Sequence, residues 1–503
     1  MCGVGFPDKS DFLLYCTIQE PRRDIAFMSR LHSAFNLGVD FLKTFLENYY
    51  NGLKNKTVTF CGIGVSNTPM IIKLAKMGIS VSARDKRDEQ KLGEKAKELK
   101  DLGVKLILGE HYLDGITEDI VFRTPGLPFN TPQLVRAREQ GKKVTSEMEE
   151  FFDLCPAKIF AVTGSDGKTT TTTIISELLK TTGKRVFLGG NIGTPLLDKV
   201  DGINEDDFVV VELSSFQLIS MKKGPFSAVV TNVAPNHLDI HKDMQEYIDA
   251  KRNILFYQQK DSRTTLNFEN DITRGFEGDV KGRCLFFSDE HKIENGAFCD
   301  QNGDIYFAEN GNNTFIMNKS DIRIPGGHNV QNYLAAISAV WGFVEKQNIV
   351  KVAENFRGVE HRIEFVRELD GVKWYNDSIA TSPTRAIAGL NSFNQKLIII
   401  AGGYDKHIPF DPFAKKAITN IKLLILTGAT ADAIEFCIKK QEGFEQSGLE
   451  IIRVKDIKEA VEAARSRAKA GDIVSLSPAC ASFDAFPNFA VRGNYFKQLV
   501  NEL

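Results

Sequence analysis

The sequence predicts an α/β protein of three tandem domains, each built on a parallel sheet. A chain of 503 residues is long enough for about three domains of ordinary size. From Thr57 onward, apolar runs of strand length alternate with amphipathic stretches of helix length. Two glycine-rich turns each follow an apolar run and open a predicted helix, which is typical of nucleotide-binding α/β folds.

The first predicted domain covers residues 41–150 and follows an N-terminal extension. Residues 1–40 carry no sustained apolar period, and we predict a poorly ordered extension of unknown role, with an ordered accessory segment as the alternative. Residues 38–50 have apolar positions at helical spacing. V-T-F-C-G-I-G then predicts a strand and turn, N-T-P-M-I-I-K-L-A-K-M-G a helix, and I-S-V-S-A-R-D a strand ending in Asp85. This β-α-β order predicts a Rossmann-like domain.

The central domain is predicted over residues 151–357. K-I-F-A-V-T-G predicts a strand, and a threonine-rich helix follows Lys168. R-V-F-L-G-G, D-F-V-V-V-E-L-S-S and S-A-V-V-T-N-V predict further buried parallel strands. Residues 260–325 are more polar and rich in Gly and Asn, which predicts an antiparallel or loop-rich insertion.

The third domain is predicted over residues 358–503. K-L-I-I-I-A-G-G, L-L-I-L-T-G and D-I-V-S-L-S-P-A predict three strands with helices between them. We therefore expect a C-terminal Rossmann-like α/β domain.

Composition and charge exclude several classes of protein. Hydrophobic residues make up 42% of the chain, the net charge is −2 and the pI is near 6.5, which argues against nucleic-acid or anionic-membrane partners. No apolar run reaches the roughly 18 residues of a membrane span, and we find no secretory signal. The 8 cysteines form no C-x-x-C pair, so we expect reduced thiols in a cytoplasmic protein.

A candidate phosphate loop spans Val162–Thr170. Its glycines would let backbone N–H groups surround phosphate oxygens, while Lys168 neutralises the β/γ-phosphates and the Thr169 hydroxyl ligates Mg²⁺. The strict G-x-x-x-x-G-K-[ST] motif is incomplete, because Val162 takes the first glycine position. The alternative is a glycine-rich turn that caps a helix. Threonines 169–173 form helices poorly, so we expect them to line phosphate and metal.

This loop resembles the ATP loop of the Mur ligase family, the amide-bond ligases of peptidoglycan synthesis. The resemblance implies a central P-loop ATPase-like domain and extends from about Lys56 to the C-terminus in ordered blocks. These blocks are Gly190–Gly193, Val211–Leu218, Asn236–Asp239, Gly327–Asn332, His361–Glu364, Asn376–Ser378 and Ser477–Ser482. The E-L-S-S-F-Q-L and S-P-A-C-A-S-x-D-x-F blocks are most similar to members that add D-glutamate to UDP-N-acetylmuramoyl-L-alanine.

The resemblance implies an ATP site with two Mg²⁺ ions. The implied ATP contacts of the loop are Gly164, Ser165, Asp166, Gly167, Lys168, Thr169 and Thr170. The implied metal ligands are Thr169, Glu212, His237 and Lys251, the last carbamylated by CO₂. Lys168, Glu212, His237 and Lys251 form the implied catalytic set.

The residues taken alone leave some of these roles open. Glu212 ends an apolar strand, where a carboxylate can reach Mg²⁺ or can cap or pair with a base. His241, in His237-x-Asp239-x-His241, is expected to be an ordinary hydrogen-bonded histidine. Lys251 by itself would be interpreted as a solvated helix lysine.

The first glycine-rich turn, Gly62–Asn67, suggests a dinucleotide fold, but Asn67 replaces the third glycine of G-x-G-x-x-G. The resemblance implies instead that this domain binds the UDP substrate. The implied contacts are Val65 and Ser66 at the diphosphate, Asp85 and Arg87 near the uridine, and Asn191 from the central domain.

The resemblance also assigns residues of the second half of the chain. The implied adenosine and phosphate contacts are Asn329, Asn332, Arg362 and Asp377. The implied D-glutamate contacts are Thr381, Lys406, Ser482 and Phe489. Ile379 stands where several relatives carry lysine, and Lys406 or Arg385 is expected to supply the missing charge.

The function implied is ATP-dependent addition of D-glutamate to UDP-N-acetylmuramoyl-L-alanine through an acyl phosphate, by a monomer. Two alternatives stay open: another Mur-type or folylpolyglutamate-type ligase, and a non-catalytic nucleotide-binding protein. The complete set of Lys168, Glu212, His237 and Lys251 favours an enzyme, because a binder does not need it. A dehydrogenase would need a substrate domain with matching acid–base residues, which the sequence does not suggest.

Overall fold

The computed structural model describes residues 44–236 and 240–503, and the chain divides into two compact units at Asn55. In the first unit, residues 44–54 form a helix (α1), as the apolar spacing predicts. The prediction for residues 1–40 lies outside the described residues. The second unit, from Lys56 to Leu503, contains three sheets.

The first sheet has five parallel strands in the order β3-β2-β1-β4-β5. Its strands are β1 (Val58–Cys61), β2 (Val81–Asp85), β3 (Lys105–Leu108), β4 (Ile120–Arg123) and β5 (Lys143–Ser146). Its helices are α2 (Thr68–Lys76), α3 (Glu89–Leu92), α4 (Glu94–Asp101), α5 (Pro132–Glu139) and α6 (Glu147–Leu154). The strand order reverses between β1 and β4, and ligands of such sheets bind outside the carboxyl ends of the strands at this point.

The central sheet has nine strands in the order β14-β13-β12-β11-β10-β9-β6-β8-β7. The strands are β6 (Lys158–Thr163), β7 (Val186–Gly190), β8 (Phe208–Glu212), β9 (Ser227–Val230), β10 (Arg263–Asn267), β11 (Arg283–Ser288), β12 (Gly296–Cys299), β13 (Asp304–Glu309) and β14 (Asn312–Asn318). The helices are α7 (Lys168–Lys180), α8 (Ser215–Leu218), α9 (Met244–Phe256), α10 (Asp271–Arg274), α11 (His328–Val340) and α12 (Lys346–Asn355).

The predicted insertion at residues 260–325 is wrong in part. Strands β10, β11 and β12 continue the parallel central sheet, and only β13 and β14 are antiparallel. Most of the glycines and asparagines that suggested loops occupy the connections, while the strands are short and their buried residues include polar ones, such as Thr264 and Thr265 of β10. Tertiary pairing outweighs the polar local composition here.

The core of the central sheet lies under α7 and α11. Ile174, Ile175 and Leu178 of α7 pack with Phe160 and Val210 of the strands. This packing fixes the amino end of α7, and with it the phosphate loop, against the carboxyl end of β6.

The third sheet has the order β15-β16-β20-β17-β18-β19, antiparallel only between β15 and β16. The strands are β15 (Glu364–Leu369), β16 (Val372–Asn376), β17 (Leu397–Ala401), β18 (Ile421–Leu426), β19 (Glu450–Arg453) and β20 (Ile473–Leu476). The helices are α13 (Pro383–Leu390), α14 (Asp411–Asn420), α15 (Ala431–Lys439), α16 (Phe444–Ser447), α17 (Ile457–Arg467) and α18 (Phe489–Glu502). The three predicted strands are confirmed as β17, β18 and β20. The prediction of three tandem α/β domains is confirmed, whereas the predicted domain bounds stay predictions.

Two buried polar side chains connect the first sheet and its helices to the central part. The Glu147 carboxylate accepts hydrogen bonds from the backbone N–H groups of Leu196 and Leu197, at 2.8 and 2.9 Å. The Arg123 guanidinium donates to the carbonyl of Phe216 at 2.8 Å and to the hydroxyl of Ser220 at 2.7 Å. Burial raises the pKa of Glu147. These hydrogen bonds connect the first sheet and its helices to the central sheet region.

Two further findings concern the described residues. Among them, no helix combines the length and the apolar character needed to cross a bilayer. All six described cysteines are free thiols, as predicted.

Candidate active site

The phosphate loop, residues 164–167, connects β6 to α7. Gly167 has φ +76° and directly precedes α7, in a backbone conformation that L-residues rarely adopt. Gly164 packs so tightly that a Cβ there would overlap the Thr231 hydroxyl. The Asp166 N–H is held by the side chain of Asn232 at 2.9 Å. The loop therefore has a fixed backbone, with a glycine at each end, that can surround phosphate oxygens.

Gly164→Ala should weaken ATP binding, because the added methyl group must push Thr231 or the loop aside. We expect the Kd for ATP to rise about tenfold or more, which corresponds to the 1–3 kcal/mol typical of overpacking. Calorimetric titration with ATP measures this directly. Gly183→Ala, in the turn after α7 where a Cβ meets nothing, is the control for a positive-φ glycine. Equal ATP affinity in Gly164→Ala and the wild type would contradict the tight-loop interpretation.

Lys168, the first residue of α7, folds back over this loop. Its ammonium donates to the carbonyls of Gly164 and Ser165, each at 2.9 Å. Burial lowers the pKa of Lys168, while the carboxylates of Glu212 and Asp166 act in the opposite direction. The charge is thus held at the loop where phosphates would bind.

Glu212, at the end of β8, is buried opposite the loop. Its carboxylate accepts hydrogen bonds from the Thr169 hydroxyl and from the side-chain amide of Asn191, both at 2.7 Å. Gly190 lets the β7 backbone lie close to Glu212, because a Cβ at Gly190 would overlap the Glu212 carbonyl. Three predicted site residues therefore meet, and their oxygens are the hard ligands that Mg²⁺ prefers.

Lys251, on α9, is 1% exposed, so its interpretation as a solvated lysine is wrong. Its ammonium donates to the Gly164 carbonyl at 2.7 Å and to the Thr163 hydroxyl at 3.5 Å, and it lies 4.6 Å from the centroid of the Tyr247 ring. Burial lowers the pKa of Lys251 to about 7, and the nearby charge of Lys168 adds to this effect. Two lysine side chains therefore share one carbonyl.

His241 is buried and hydrogen-bonded, as predicted. Its ring contacts the Ser215 hydroxyl at 2.9 Å and the Glu246 carboxylate at 3.1 Å, and it stacks on Phe216. The predictions for His237 and Asp239 lie outside the described residues.

The threonine run does not line the loop as a whole, which corrects the prediction. Thr171 is buried and donates to the side-chain oxygen of Asn332 at 3.1 Å, and Thr172 is also fully buried. Asn332 in turn donates to Asn329 at 2.9 Å. The Thr173 hydroxyl donates to the Thr169 carbonyl at 2.8 Å, so Thr169, whose hydroxyl donates to Glu212, is the member of the run that meets a predicted metal ligand.

In the first sheet, Asp85 and Arg87 form a tight pair. The Asp85 carboxylate accepts from the Ile63 N–H at 2.8 Å and from the Arg87 guanidinium at 2.8 and 2.9 Å. Burial alone would raise the pKa of Asp85, but the hydrogen bonds from Arg87 lower it overall. Val65 and Ser66 lie on the adjacent turn, and the Val65 side chain is exposed.

Asn67, which replaces the third glycine of the motif, is fully buried below this turn. Its amide donates to the Gly62 carbonyl at 3.0 Å, while its own side-chain oxygen has no partner. Its side chain thus supports the turn from below.

In the third part of the chain, Asp377 follows β16 and is buried. Its carboxylate accepts from the Ser477 hydroxyl at 2.9 Å, and burial raises the pKa of Asp377 to about 7. Burial lowers the pKa of Arg362, while the nearby Glu212 carboxylate raises it. The Glu212 carboxylate of the central sheet and the Asp377 carboxylate therefore both act on the charge of Arg362.

Arg385, on α13, is one of the two residues expected from the sequence to compensate for Ile379. Its guanidinium donates to the Ile379 carbonyl at 3.4 Å, and its charge acts on the pKa values of both Arg362 and Asp377. It therefore brings a cation close to Ile379, Arg362 and Asp377.

Three of the four predicted D-glutamate contacts, Thr381, Lys406 and Ser482, lie on turns at one edge of the third sheet, and the fourth, Phe489, begins α18. The Lys406 ammonium approaches the Thr381 hydroxyl at 3.3 Å. Ser482 is buried in the turn after β20, and the Phe489 ring at the start of α18 lies 5.8 Å from the His361 ring. These turns follow β16, β17 and β20, which are neighbours in the sheet.

The fold and this site define a class of protein: a multidomain α/β protein with a glycine-rich phosphate loop and buried lysines beside it. Residues 162–340 match the Mur ligase middle domain, and residues 361–480 match the Mur ligase, glutamate ligase domain. The chain belongs to the Mur ligase family.

Its relatives include the UDP-N-acetylmuramoylalanine–D-glutamate ligases of Acetivibrio thermocellus and Clostridium acetobutylicum, which are 51% and 50% identical to it. Each alignment covers 92% of this chain and 100% of the relative. The structure of UDP-N-acetylmuramate-alanine ligase from Thermotoga maritima has the same fold, with a TM-score of 0.53 at 19% identity over 89% of this chain and 99% of that one.

Proposed function

We propose that the chain catalyses the ATP-dependent addition of D-glutamate to UDP-N-acetylmuramoyl-L-alanine, a step of peptidoglycan precursor synthesis. The full-length similarity to ligases of this name supports the choice of substrates. The observation that carries the proposal is the meeting of Lys168, Lys251 and Glu212 around one phosphate loop. A protein that only bound nucleotide would not need this costly concentration of buried charge.

The chemistry begins with the carboxylate of the L-alanyl group, which is too poor an electrophile to react with an amine. Its oxygen takes the γ-phosphoryl group of ATP, which releases ADP and leaves an acyl phosphate. The D-glutamate amine attacks the carbonyl carbon to give a tetrahedral intermediate, which expels phosphate as the amide forms. Lys168 and the loop N–H groups would hold the transferring phosphoryl group, with Arg362 on its other side.

The described residues fit a magnesium site. Thr169 and Glu212 offer oxygen ligands, and we propose His237 and a carbamylated Lys251 as further ligands, so that two ions can bind. Bound Mg²⁺ would neutralise the phosphate charge during transfer. Carbamylation would also turn the repulsion between Lys251 and Lys168 into attraction, and buried Lys251 would react with CO₂ as the neutral amine.

We propose substrate contacts for the remaining site residues from the resemblance to the Mur ligase family. Around ATP we propose Gly164, Ser165, Asp166, Gly167, Thr170, Asn329, Asn332 and Asp377. Around the UDP group we propose Val65, Ser66, Asp85, Arg87 and Asn191. Around D-glutamate we propose Thr381, Lys406, Ser482 and Phe489, and we propose that Arg385 compensates for Ile379.

The proposed contacts for the three reactants lie in different parts of the chain, so the reaction needs those parts to close. We place the hinge at residues 356–358, where Gly358 has φ +103° and can absorb a backbone change. We also propose that the enzyme acts as a monomer in the cytoplasm, where ATP and UDP-sugars are made, and thereby serves cell-wall growth, cell shape and division.

Lys406→Ala should raise the KM for D-glutamate about tenfold or more and leave the KM for ATP nearly unchanged. A carboxylate of the amino acid would lose its ammonium partner, and such charge-assisted bonds contribute about 1.5–3 kcal/mol. Steady-state phosphate release measures both constants. Lys439→Ala removes a surface lysine of α15 that pairs with Glu435 and serves as the control. A KM for D-glutamate equal to that of the wild type would refute the contact.

The function is tested with ATP, Mg²⁺, UDP-N-acetylmuramoyl-L-alanine and one amino acid at a time, with phosphate release and product mass as readouts. We expect turnover with D-glutamate and little with L-glutamate, L-alanine, L-lysine or diaminopimelate. Preference for another amino acid would favour a different Mur-type ligase. Nucleotide binding without any turnover would favour the non-catalytic alternative.

A further inference from the structure

The C-terminal helix α18 packs closely against the proposed amino-acid site. It begins at Phe489, and the Asn488 side chain caps it by accepting from the Val491 N–H at 2.9 Å. Gly493 allows the close approach, because a Cβ there would overlap the ring of His361. This close packing brings Arg492, the residue of α18 that precedes Gly493, into the interior.

Arg492 is 3% exposed and donates four hydrogen bonds to two turns of the third sheet. To the turn after β16, it donates to the Ser378 hydroxyl at 3.0 Å and to the Ser378 carbonyl at 2.9 Å. To the turn after β20, it donates to the carbonyls of Cys480 and Ala481, each at 3.1 Å. One planar guanidinium thus joins turns that are about a hundred residues apart in sequence.

A third turn, which carries Lys406, packs against Ala481 and Arg492. The Tyr404 N–H donates to the Ala481 carbonyl at 3.0 Å. A Cβ on Gly403 would lie 3.3 Å from an Arg492 nitrogen and would overlap the Ala481 carbonyl. The Ser378 hydroxyl also donates to the Phe489 carbonyl at 2.8 Å. All four proposed D-glutamate contacts therefore lie on segments that converge on Arg492.

This arrangement does not serve stability alone, because burying the Arg492 charge is unfavourable for folding. The four acceptors are a hydroxyl and three carbonyls, so among the described residues no carboxylate is hydrogen-bonded to the buried guanidinium. Burial lowers the pKa of Arg492 to about 10, and the nearby Asp484 charge offsets only part of this effect. The turn it holds is also strained, since Ala479 has φ +57°, a left-handed conformation that a residue with a Cβ rarely adopts. Strain of this kind persists where surrounding contacts fix the backbone.

We propose that Arg492 is a positioning residue that fixes the spacing of the three turns and thereby shapes the D-glutamate pocket. It acts through Ser378, Cys480 and Ala481 rather than by touching the amino acid. Lysine cannot replace it, because a single ammonium lacks the planar fork that reaches both turns. This inference rests on the proposed function.

The test compares Arg492→Lys and Ser378→Ala with the wild type in steady-state assays. We expect Arg492→Lys to raise the KM for D-glutamate about tenfold, while the KM values for ATP and the UDP substrate change less than about twofold. Borohydride trapping should show undiminished acyl phosphate, because that step precedes amine attack. Ser378→Ala should show the same pattern more weakly, because it removes one of the four bonds.

Arg367→Lys is the matched control. Arg367 of β15 also donates to carbonyls of α18, those of Val500 and Asn501 at 3.1 and 3.0 Å, but at the far end of the helix. Its kinetic constants should stay at wild-type values. An unchanged KM for D-glutamate in both Arg492→Lys and Ser378→Ala, or an equal rise of all three KM values, would overturn the proposal. Wild-type turnover with D-glutamate tests the proposed function separately, since it does not depend on either variant.

Discussion

Lys168→Ala should abolish ATP-dependent ligation while the protein stays folded. The ammonium lies over the phosphate loop on the carbonyls of Gly164 and Ser165, where it would neutralise charge on the transferring phosphoryl group. Loss of such a cation typically slows phosphoryl transfer by at least about a thousandfold. Phosphate release and product mass, each measured with saturating substrates, give the rate.

We expect the fold to tolerate this change, because Lys168 is the first residue of α7 and its ammonium donates to two loop carbonyls, outside the apolar core cluster of the central sheet. Circular dichroism and the thermal transition report the fold. Lys180→Ala removes a lysine at the other end of α7, where it pairs with Glu177 at the surface, and it should keep full activity. A folded Lys168→Ala protein that makes substantial product would refute the role given to the loop.

Lys251→Ala should be nearly inactive, and added acetate should restore part of the activity. The reason is that the proposed carbamate places a carboxylate-like ligand at this buried position, and a small carboxylate can occupy the space left by the deleted side chain. The rate should fall by roughly two to three orders of magnitude and rise with acetate concentration until the site is filled.

The matched control is Lys260→Ala, four residues after the end of α9 and exposed, which should be fully active with or without acetate. In the wild type, removal of CO₂ from the buffer should lower activity and added bicarbonate should restore it. Normal activity of Lys251→Ala without any added carboxylate would show that no carbamate is needed there.

Local patterns predicted those parts of the molecule that depend on neighbouring residues. The strand–loop–helix order around Lys168 is visible because β6 is apolar and the glycines follow it directly. The parallel strands β10 to β12 were missed, since they are short, some of their buried residues are polar, such as Thr264 and Thr265, and polar turns separate them.

Contacts between residues that are far apart in the sequence could not be predicted from local sequence patterns. Lys251 meets Gly164 across 87 residues, and nothing around Lys251 in the sequence marks it as buried. The resemblance to a family identified it where periodicity could not. Arg492 had no such signal, because its four acceptors are mostly backbone carbonyls, which any sequence supplies.

The central claim, amide formation by way of an acyl phosphate with D-glutamate as the amine, is tested most directly by an oxygen-labelling experiment. UDP-N-acetylmuramoyl-L-alanine labelled with ¹⁸O in both carboxylate oxygens is incubated with ATP, Mg²⁺, D-glutamate and the enzyme. The account predicts that each phosphate released carries one ¹⁸O atom and that the amide product keeps the other. Unlabelled phosphate, or labelled phosphate with no D-glutamyl product, would contradict it.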